Sequence, residues 1–448
     1  MSTSHKLAYS IGSLGASLPY QVMTAYIVFY YVDVLKVSPV TVATAMFLWS
    51  WWNAFNDPLL GFLSDRTRTR WGRRIPYIAA GWLPFVVAFY LLWAPPEAVL
   101  AAGNMAVFWY FFGVMCLFDF LYTMVVLNWT ALFPEMFPRL EERSSVSAMR
   151  QAFTLLGLVG VAVASTLAGS IGWDRMGLLF GVIGGLALAT SLLGAREDPR
   201  YAQAQSLPLL EALRSTLVNR SFVTFALVSF SVQLTFSLIM AAVPFYTKYV
   251  LGLPPLGNTL VLLSTFVVIA VALPLWARRT VAVGPRRTMI EGVTLYLITL
   301  GGFWFASDLA TGIAAGALVG TGIAAAMLLL DVLIADVIDE DELRTGQRRE
   351  GMYFGMHALI LRLNGTAQAA ILGLVLARSG YDATLAVQPP SAILGFKLLV
   401  TAVPAAILLV TLFFLQLYPL HGERLRRVRE QLERRRPGTP SPEATPSA

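Results

Sequence analysis

The sequence predicts an all-α membrane protein with twelve transmembrane helices, and three observations support this fold class. Of its 448 residues, 57% are hydrophobic and 13% are charged, whereas soluble proteins carry about 25% charged residues. The apolar residues occur in runs of about 20 residues or more, the length that a helix needs to cross a bilayer. Arginines cluster in alternate connections between these runs, as in multi-pass membrane proteins. Lipid is therefore the expected solvent for most of the chain.

Twelve apolar runs are long enough to cross a membrane. They lie at residues 8–35, 39–63, 75–94, 104–132, 145–171, 176–194, 221–249, 257–277, 288–306, 310–337, 352–377 and 392–418. The polar segment 195–220, a predicted cytoplasmic loop, separates an N-terminal six-helix bundle, 1–194, from a C-terminal one, 221–418. The tail, 419–448, is expected to be cytoplasmic, basic at first and then of a composition typical of disorder.

The positive charges predict the orientation of these helices. One set of connections contains Arg66, Arg68, Arg70, Arg73, Arg74, Arg139, Arg143, Arg196, Arg200, Arg214, Arg220, Arg278, Arg279, Arg286, Arg287, Arg344, Arg348 and Arg349. The alternate set offers Lys36, Arg175, Lys248 and Arg378. Because positively charged loops stay in the cytoplasm, we expect both termini to be cytoplasmic in a protein of the cell inner (cytoplasmic) membrane. The N-terminus lacks a signal-peptide cleavage pattern.

Several classes of function lack a motif in this sequence. There is no phosphate-binding Gly-Lys-Ser/Thr loop. The single cysteine, Cys116, and three scattered histidines provide neither a disulfide framework nor a zinc cluster. The net charge of +7 resides in topology-determining loops, so no nucleic-acid partner is indicated. We expect a non-enzymatic, monomeric chain without a resident cofactor, whose partners are the lipid bilayer and a small-molecule substrate.

The second apolar run contains a candidate cation site. Charged groups are costly in lipid and usually face a cavity or a partner. Pro58 follows Asp57 and leaves the carbonyl of Ala54 without its usual helical donor. With Asn53 one turn earlier, these oxygens suit a hard cation, either Na⁺ or a proton in its place. The alternative interpretation is that Asp57 forms an ion pair that locks two halves of the protein together.

Further polar residues are predicted to line a central cavity and bind the substrate. They are Asp119, Tyr122, Asn128 and Trp129 in the fourth run, Arg150 at the start of the fifth, and Arg362 and Asn364 in the eleventh. An arginine at this depth can neutralise a carboxylate or bind an anionic substrate. For Asp119, a structural hydrogen bond between helices is an equally good interpretation.

The two halves of the chain repeat one feature. A short basic turn follows the second run, at 65–74, and another follows the eighth, at 278–287. With twelve runs and a central loop, this repeat is typical of the major facilitator fold, in which two six-helix halves are related by an axis along the membrane normal.

Four stretches of the chain resemble the glycoside–pentoside–hexuronide:cation symporter family, the melibiose-permease-like branch of the major facilitator superfamily. They are 52–58 with 65–68, 129–135, 142–150, and 335–339 with 346–351, within a likeness that covers residues 7–430. The resemblance implies import of a sugar or related solute coupled to sodium, proton or lithium. It also implies that Asp57 is the cation-site carboxylate and that Arg150 is the family's arginine in span 5. Arg362 falls where sugar-transporting members carry a lysine.

Three positions depart from the family's pattern. Asn53 replaces the first acid of the cation site, and Ser17 and Val125 stand near the positions of two sugar-binding acids. Asp119 lies one to two turns before Val125 and is a candidate substitute. A site with one carboxylate is expected to bind sodium more weakly or to bind a proton, and the missing acids argue against a melibiose-like substrate.

The resulting hypothesis is a cation-coupled (H⁺ or Na⁺) symporter of a sugar- or glycoside-like solute that works by alternating access. Cytoplasmic salt bridges of the arginine loops are expected to favour the outward-open state. One alternative is a transporter of lysolipid-like amphiphiles, since the missing acids leave an apolar cavity with Arg362. Another is a non-transporting membrane scaffold or sensor.

Overall fold

The computed structural model describes residues 3–137, 140–197, 218–346, 350–385 and 387–435. The regular structure in these ranges is helical, apart from an isolated β-bridge between Thr69 and Gly72. The predicted all-α fold is therefore confirmed. Most of the predicted loop 195–220 and the end of the tail lie outside the described residues.

We call residues 3–197 the N-terminal half and residues 218–435 the C-terminal half. The helices of the N-terminal half are α1 (Thr3–Ser10), α2 (Gly12–Phe29), α3 (Pro39–Arg66), α4 (Ile75–Trp93), α5 (Glu97–Ala101), α6 (Asn104–Met136), α7 (Leu140–Ile171) and α8 (Trp173–Gly194), and α2 continues into a π-helical segment, Tyr30–Val34. Those of the C-terminal half are α9 (Arg220–Tyr249), α10 (Pro255–Val283), α11 (Pro285–Thr299), α12 (Gly301–Phe305), α13 (Leu309–Thr345), α14 (Glu350–Arg378), α15 (Pro390–Val400), α16 (Ala402–Leu417) and α17 (Gly422–Arg435).

Each predicted apolar run corresponds to a helix or a pair of helices. Among the described residues, ten spans are long and apolar enough to cross a membrane. The other two predicted runs form α2 and α3, which carry more polar residues. The ninth and twelfth runs, predicted as continuous, are each interrupted. The first break precedes two successive glycines, Gly301 and Gly302. The second, at Thr401, precedes Pro404, which has no N–H for the carbonyl of Val400.

The helix packing repeats in the two halves. In the N-terminal half α2 packs on α7 and α8, α3 on α6, and α4 on α6 and α8. In the C-terminal half the equivalent helices pair in the same way: α9 packs on α14 and α16, α10 on α13, and α11 on α13. This repetition is the arrangement expected of duplicated six-helix halves.

Among the described residues, the most extensive helix contacts between the halves are α3 with α14, α7 with α10, and α2 with α9. Glycines permit close approach at the first two crossings. A Cβ on Gly373 of α14 would lie 2.7 Å from the Cβ of Ala43, and one on Gly169 of α7 would lie 3.2 Å from Cγ of Pro255. We call the end of the bundle that contains these two crossings and the α2–α3 and α9–α10 connections the distal end. The opposite end, which contains α1 and α17, is the terminal end.

A carboxylate from beyond α8 caps the start of α4 at the terminal end. The side chain of Glu197 accepts hydrogen bonds from the backbone N–H groups of Arg73 (2.8 Å), Arg74 (2.6 Å) and Ile75 (2.8 Å). These N–H groups have no partner within the helix. Gly72 makes room for the cap, because its φ is +102° and a Cβ there would lie 2.5 Å from the carboxylate.

Replacement of this carboxylate is expected to destabilise the N-terminal half. Glu197→Ala removes three hydrogen bonds to a negatively charged acceptor, so we expect a loss of about 2 kcal/mol, as for the stronger helix caps. Thermal unfolding of the purified protein in detergent measures it. Glu423→Ala is the control, because Glu423 is 72% exposed and pairs with Arg427 on its own helix. Equal melting temperatures for the two variants would contradict the capping role.

Candidate functional site

A row of polar side chains crosses the contact between α3 and α6. Thr123 Oγ1 donates to Asp57 Oδ1 over 2.9 Å. Asn56 Nδ2 donates to Asp119 Oδ2 over 3.0 Å and to the Asp119 carbonyl oxygen over 3.1 Å. Asn53 lies one turn before Asp57 on α3, and its side chain is 1% exposed. We call these five residues the α3–α6 polar row.

The helix periodicity explains why these residues meet. Asp119 and Thr123 are four residues apart on α6, and Asn53 and Asp57 are four apart on α3, so each pair shares a face. Asp119 and Asn56 are each 1% exposed. Buried polar groups at such a contact need partners, and here the two helices supply them to each other.

The polar row has the chemistry of a cation site. It brings together two carboxylates, two carboxamides and a hydroxyl, all of which offer oxygen ligands to a hard cation. Asn56 Oδ1 is buried and has no hydrogen-bond partner, so one oxygen of the set is available. Within the described ranges, no three His, Cys, Asp or Glu side chains form a group that could hold a metal ion. The oxygen atoms of the polar row are of the kind that a hard cation such as Na⁺ prefers.

The structure groups Asp119 with the predicted cation residues Asn53 and Asp57, whereas the sequence suggested a substrate-binding role. The hydrogen bond between Asp119 and Asn56 agrees with the alternative interpretation of Asp119, a structural hydrogen bond between helices. Asn56 and Thr123 were not predicted as site residues. Asn56 directly precedes Asp57 in the sequence, and Thr123 follows Asp119 by one helical turn. These positions could have indicated that both residues belong to the site.

Trp129 is packed against α1. Its ring is 2% exposed and stacks on Tyr9, with ring centroids 5.1 Å apart. Trp129 Nε1 donates to the Tyr9 carbonyl oxygen over 3.3 Å, and the Tyr9 hydroxyl donates to the Trp129 carbonyl oxygen over 2.8 Å. The ring of Trp129 is thus occupied by the protein itself in this conformation.

Two aromatic rings hold Arg150. Its guanidinium carbon lies 4.6 Å from the ring centroids of both Trp129 and Phe133. Cation–π contacts of this kind stabilise a guanidinium in a site with little water. Arg150 Nε is buried and has no hydrogen-bond partner, so the group is positioned by stacking and retains a donor for a ligand.

The other predicted residues of α6 have different surroundings. The Tyr122 ring is half-buried and stacks on Tyr20 of α2, with ring centroids 5.0 Å apart. Asn128 is fully buried, and its Nδ2 donates over 2.8 Å to the carbonyl oxygen of Met124 one turn earlier. Asn128 Oδ1 is also buried and has no hydrogen-bond partner, so both residues stay candidates for contact with a solute.

A pair of buried amides lies on α14. Asn364 and Gln368 are one helical turn apart and 7% and 1% exposed, respectively. None of their four amide nitrogen and oxygen atoms has a hydrogen-bond partner. We call these two residues the amide pair. The side chain of Arg362, predicted on the same helix, lies outside the described part of the chain.

The amide pair lies beside the crossing of the two halves. Between its members is Gly365, where a Cβ would lie 3.4 Å from the ring of Trp49 on α3. Trp49 is 3% exposed, and its Nε1 has no hydrogen-bond partner. Neither Trp49 nor Gln368 was among the predicted site residues, although their position within apolar runs was a signal.

An acidic residue closes the distal end. Asp33 of the π-helical segment is 2% exposed and accepts hydrogen bonds from three side chains of the C-terminal half. Its Oδ2 pairs with Lys248 Nζ. Its Oδ1 accepts from the hydroxyls of Tyr249 and Tyr381, the latter over 2.7 Å. We call these four residues the Asp33 cluster. It joins the two halves directly.

A second polar contact supports the same closure. Asn258 of α10 donates to the Tyr26 hydroxyl over 2.7 Å and to Ser165 Oγ over 3.0 Å. The hydroxyls of Thr166 and Thr259 lie 2.6 Å apart. These bonds connect α10 to both α2 and α7, so the distal end is held shut at two places.

Two ion pairs at the terminal end each join residues of one half. Lys6 pairs with Glu142 at 2.9 Å in the N-terminal half, and Arg429 pairs with Asp336 at 2.9 Å in the C-terminal half. The expected salt bridges between halves that favour an outward-open state stay a prediction.

The family of the chain follows from its sequence as a whole. Residues 8–422 match the family described as MFS/sugar transport protein. This range includes nearly all of both halves, the polar row, the amide pair and the Asp33 cluster. The match confirms the predicted resemblance and the prediction of a transporter rather than an enzyme.

Proteins similar to this chain include named transporters. The isoprimeverose transporter of Lactiplantibacillus pentosus is 26% identical, over 85% of this chain and 81% of that protein. The sodium-dependent lysophosphatidylcholine symporter 1 of Gallus gallus is 25% identical, over 97% and 89%. The crystal structure of the nucleoside transporter NupG shares the fold, with a TM-score of 0.65 and 12% identity over 92% of this chain and 98% of that one. The chain is a multi-pass membrane transporter that belongs to the MFS/sugar transport protein family.

Proposed function

We propose that the protein is a symporter that couples entry of H⁺ or Na⁺ to uptake of a sugar- or glycoside-like solute by alternating access. The observation that carries this proposal is the amide pair, Asn364 and Gln368, beside the crossing of the two halves. A buried polar group without a partner costs about 1–3 kcal/mol. Two adjacent carboxamides in that condition are explained by a ligand that satisfies them.

The amide pair suits a solute with several hydroxyl groups. Each carboxamide presents a donor and an acceptor, and each hydroxyl of a sugar both donates and accepts. Trp49 Nε1 adds a donor from the N-terminal half. A solute bound here would contact both halves, as alternating access requires. The name of the isoprimeverose transporter agrees with such a ligand. Arg362 remains a candidate on the same helix.

The α3–α6 polar row is the proposed cation site. Asp57 and Asp119 supply charge, and Asn53 with the unpartnered Oδ1 of Asn56 supplies amide oxygen. Two carboxylates bind a hard cation more tightly than the single one expected from the sequence. This set therefore fits Na⁺ as well as H⁺. The sodium-dependent symporter from Gallus gallus is a relative consistent with sodium.

We propose that the distal end faces outward in the cell inner membrane, since the arginine-rich connections then lie in the cytoplasm with both termini. Closure at the Asp33 cluster then makes this conformation inward-facing. Import requires Lys248, Tyr249 and Tyr381 to separate from Asp33 when the distal end opens. The arginine-rich loops would close the terminal end in that state. A single chain contains both halves, so a monomer is sufficient for transport.

A lysolipid-like amphiphile is the second candidate substrate. Arg150 favours it, because a guanidinium held by two aromatic rings with an unpartnered Nε suits a phosphate head group. The sodium-dependent lysophosphatidylcholine symporter is also a relative. The amide pair has no role in this alternative, and that difference separates the two substrates experimentally.

Uptake into proteoliposomes tests the proposal. We expect a Na⁺ or H⁺ gradient to drive uptake of a radiolabelled sugar or glycoside, and Gln368→Leu to raise its KM by about tenfold or more, through loss of hydrogen bonds worth about 1 kcal/mol each. The melting temperature of this variant should not fall, since no partner within the protein is lost.

Gln416→Leu is the matched control, because that glutamine is exposed at the end of α16. Uptake of lysophosphatidylcholine instead of sugars, unaffected by Gln368→Leu, would establish the second candidate. No gradient-driven uptake of either class would contradict the proposed symport.

A further inference from the structure

A cavity at the terminal end lies apart from the transport site. It has a volume of about 580 Å³ and lies between the α10–α11 turn and α17. Its lining residues are Val283, Gly284, Pro285, Arg286, Arg287, His421, Gly422, Leu425, Arg426, Arg429 and Glu430. Transport as proposed above assigns no role to this space, which we call the terminal-end cavity.

The terminal-end cavity is strongly basic. Four of its lining side chains are guanidinium groups, and Glu430 is the acidic residue among those described. Arg286 donates through Nε and Nη2 to the carbonyl oxygens of Leu415 and Gln416, each over 2.8 Å. These partners are neutral, so they orient the guanidinium without cancelling its charge.

Acidic side chains neutralise the positive charges of the other lining arginines only in part. Arg287 lies 3.4 Å from Glu291, but Arg279 already binds that carboxylate at 2.9 Å. Arg426 pairs with Glu430 at 3.3 Å, and both side chains are more than half exposed. Exposed pairs of this kind contribute little and exchange readily with other ligands.

Arg429 anchors α17 beside the cavity. Its Nη2 donates to Asp336 Oδ1 over 2.9 Å, and Asp336 is a buried residue of α13. Leu425, Val428 and Leu432 are buried on the same helix. The wall formed by α17 is therefore fixed against the C-terminal half and presents Arg426 from a defined position.

Two helices begin at the cavity, which adds to its positive potential. α11 starts at Pro285 and α17 at Gly422, and the N-terminus of a helix carries unpaired N–H groups and partial positive charge. Burial, with the positive charges of Arg286 and Arg424, lowers the pKa of His421 below its usual range.

We propose that the terminal-end cavity binds a phosphate-bearing anion, supplied either by the head group of an anionic phospholipid or by a soluble phosphate. Guanidinium groups bind phosphate through paired, charge-assisted hydrogen bonds. The cavity opens where membrane-crossing helices end, which is the level of lipid head groups. A bound phosphate would join the α10–α11 turn to α17 and replace Glu430 as the partner of Arg426.

Lipid binding by the purified full-length protein tests this site. The probes are phosphatidylglycerol and phosphatidylcholine at equal concentration, and native mass spectrometry counts the bound molecules. We expect the wild type to retain phosphatidylglycerol preferentially. Arg287→Gln with Arg426→Gln should weaken that retention about tenfold or more, through loss of two guanidinium contacts. Both side chains are about 70% exposed, so the fold should tolerate the change.

Arg278→Gln with Arg427→Gln is the matched control, because it removes the same charge from exposed residues that do not line the cavity. Equal loss in both double variants, or no loss in the first, would overturn the site. Excess inorganic phosphate distinguishes the sources: displacement of phosphatidylglycerol assigns the site to soluble phosphate, and continued retention assigns it to lipid.

Discussion

Asp57→Asn is expected to abolish ion-gradient-driven uptake in proteoliposomes. The substitution keeps the shape of the side chain and its hydrogen bond with Thr123, but it removes the charge that a transported cation must neutralise. Loss of one partner from a buried charge pair costs about 3 kcal/mol or more, which corresponds to about a hundredfold loss of cation affinity. Initial uptake rates at increasing Na⁺ or H⁺ gradient measure this loss.

Two comparisons make the Asp57 result specific. Asp308→Asn removes a carboxylate from the exposed cap of α13, where asparagine caps equally well, so uptake should be unchanged. If Asp57 only locked the halves together, the variant would lose thermal stability while gradient-driven uptake persisted. Uptake that still responds fully to the gradient would refute the coupling role of Asp57.

Asp33→Ala is expected to open the distal end and reduce transport at least tenfold. It leaves Lys248 and the hydroxyls of Tyr249 and Tyr381 without the carboxylate that holds them in the closed state. Lys248 is 44% exposed, so the ion pair itself contributes about 1 kcal/mol. The hydrogen bonds from the two tyrosine hydroxyls to the charged carboxylate contribute about 1.5–3 kcal/mol each. Together these contributions are enough to invert a two-state equilibrium that favours closure by about tenfold to a hundredfold. A transporter that cannot close one end cannot complete its cycle.

Thiol labelling measures the opening directly. Cys116 is the single cysteine of the sequence, so Cys116→Ser with Ala241→Cys provides one reporter. Ala241 is 1% exposed and lies two turns below Lys248 on the same face of α9. A membrane-impermeant reagent added from the distal side should label it faster when Asp33→Ala is present. Asp382→Asn, an exposed acid of the same end, should leave the rate unchanged. Equal labelling in all three would contradict closure by Asp33.

The architecture could be predicted from the sequence, because the thickness of a bilayer sets the length of each apolar run that crosses it. It also located Asp57 and Asp119, since a carboxylate in lipid needs an explanation wherever it occurs. It could not show that Asn56 reaches Asp119. That bond depends on the rotation of α3 about its axis, and helices that are apolar on most sides give no periodic signal for rotation.

Contacts between distant parts of the chain explain the remaining differences. In the sequence, Lys248 looks like an ordinary loop charge. In the structure, it binds Asp33, which lies 215 residues away in sequence. The sequence suggested that the ring of Trp129 is accessible to a ligand, whereas in the structure α1 covers it. Glu197 belonged to a polar segment with no predicted partner, yet it caps α4. Each depends on a long-range approach that local composition does not encode.

The glycine crossings at Gly373 and Gly169 have a mechanical consequence. At Gly373 the backbone of α14 approaches the Cβ of Ala43, and at Gly169 the backbone of α7 approaches the ring of Pro255, so the contact surfaces there are small. Because import requires the distal end to open, the helices at both crossings must separate or slide, and small contact surfaces leave few van der Waals contacts to break. A bulky residue at either glycine would hold the two helices apart and hinder closure of the distal end.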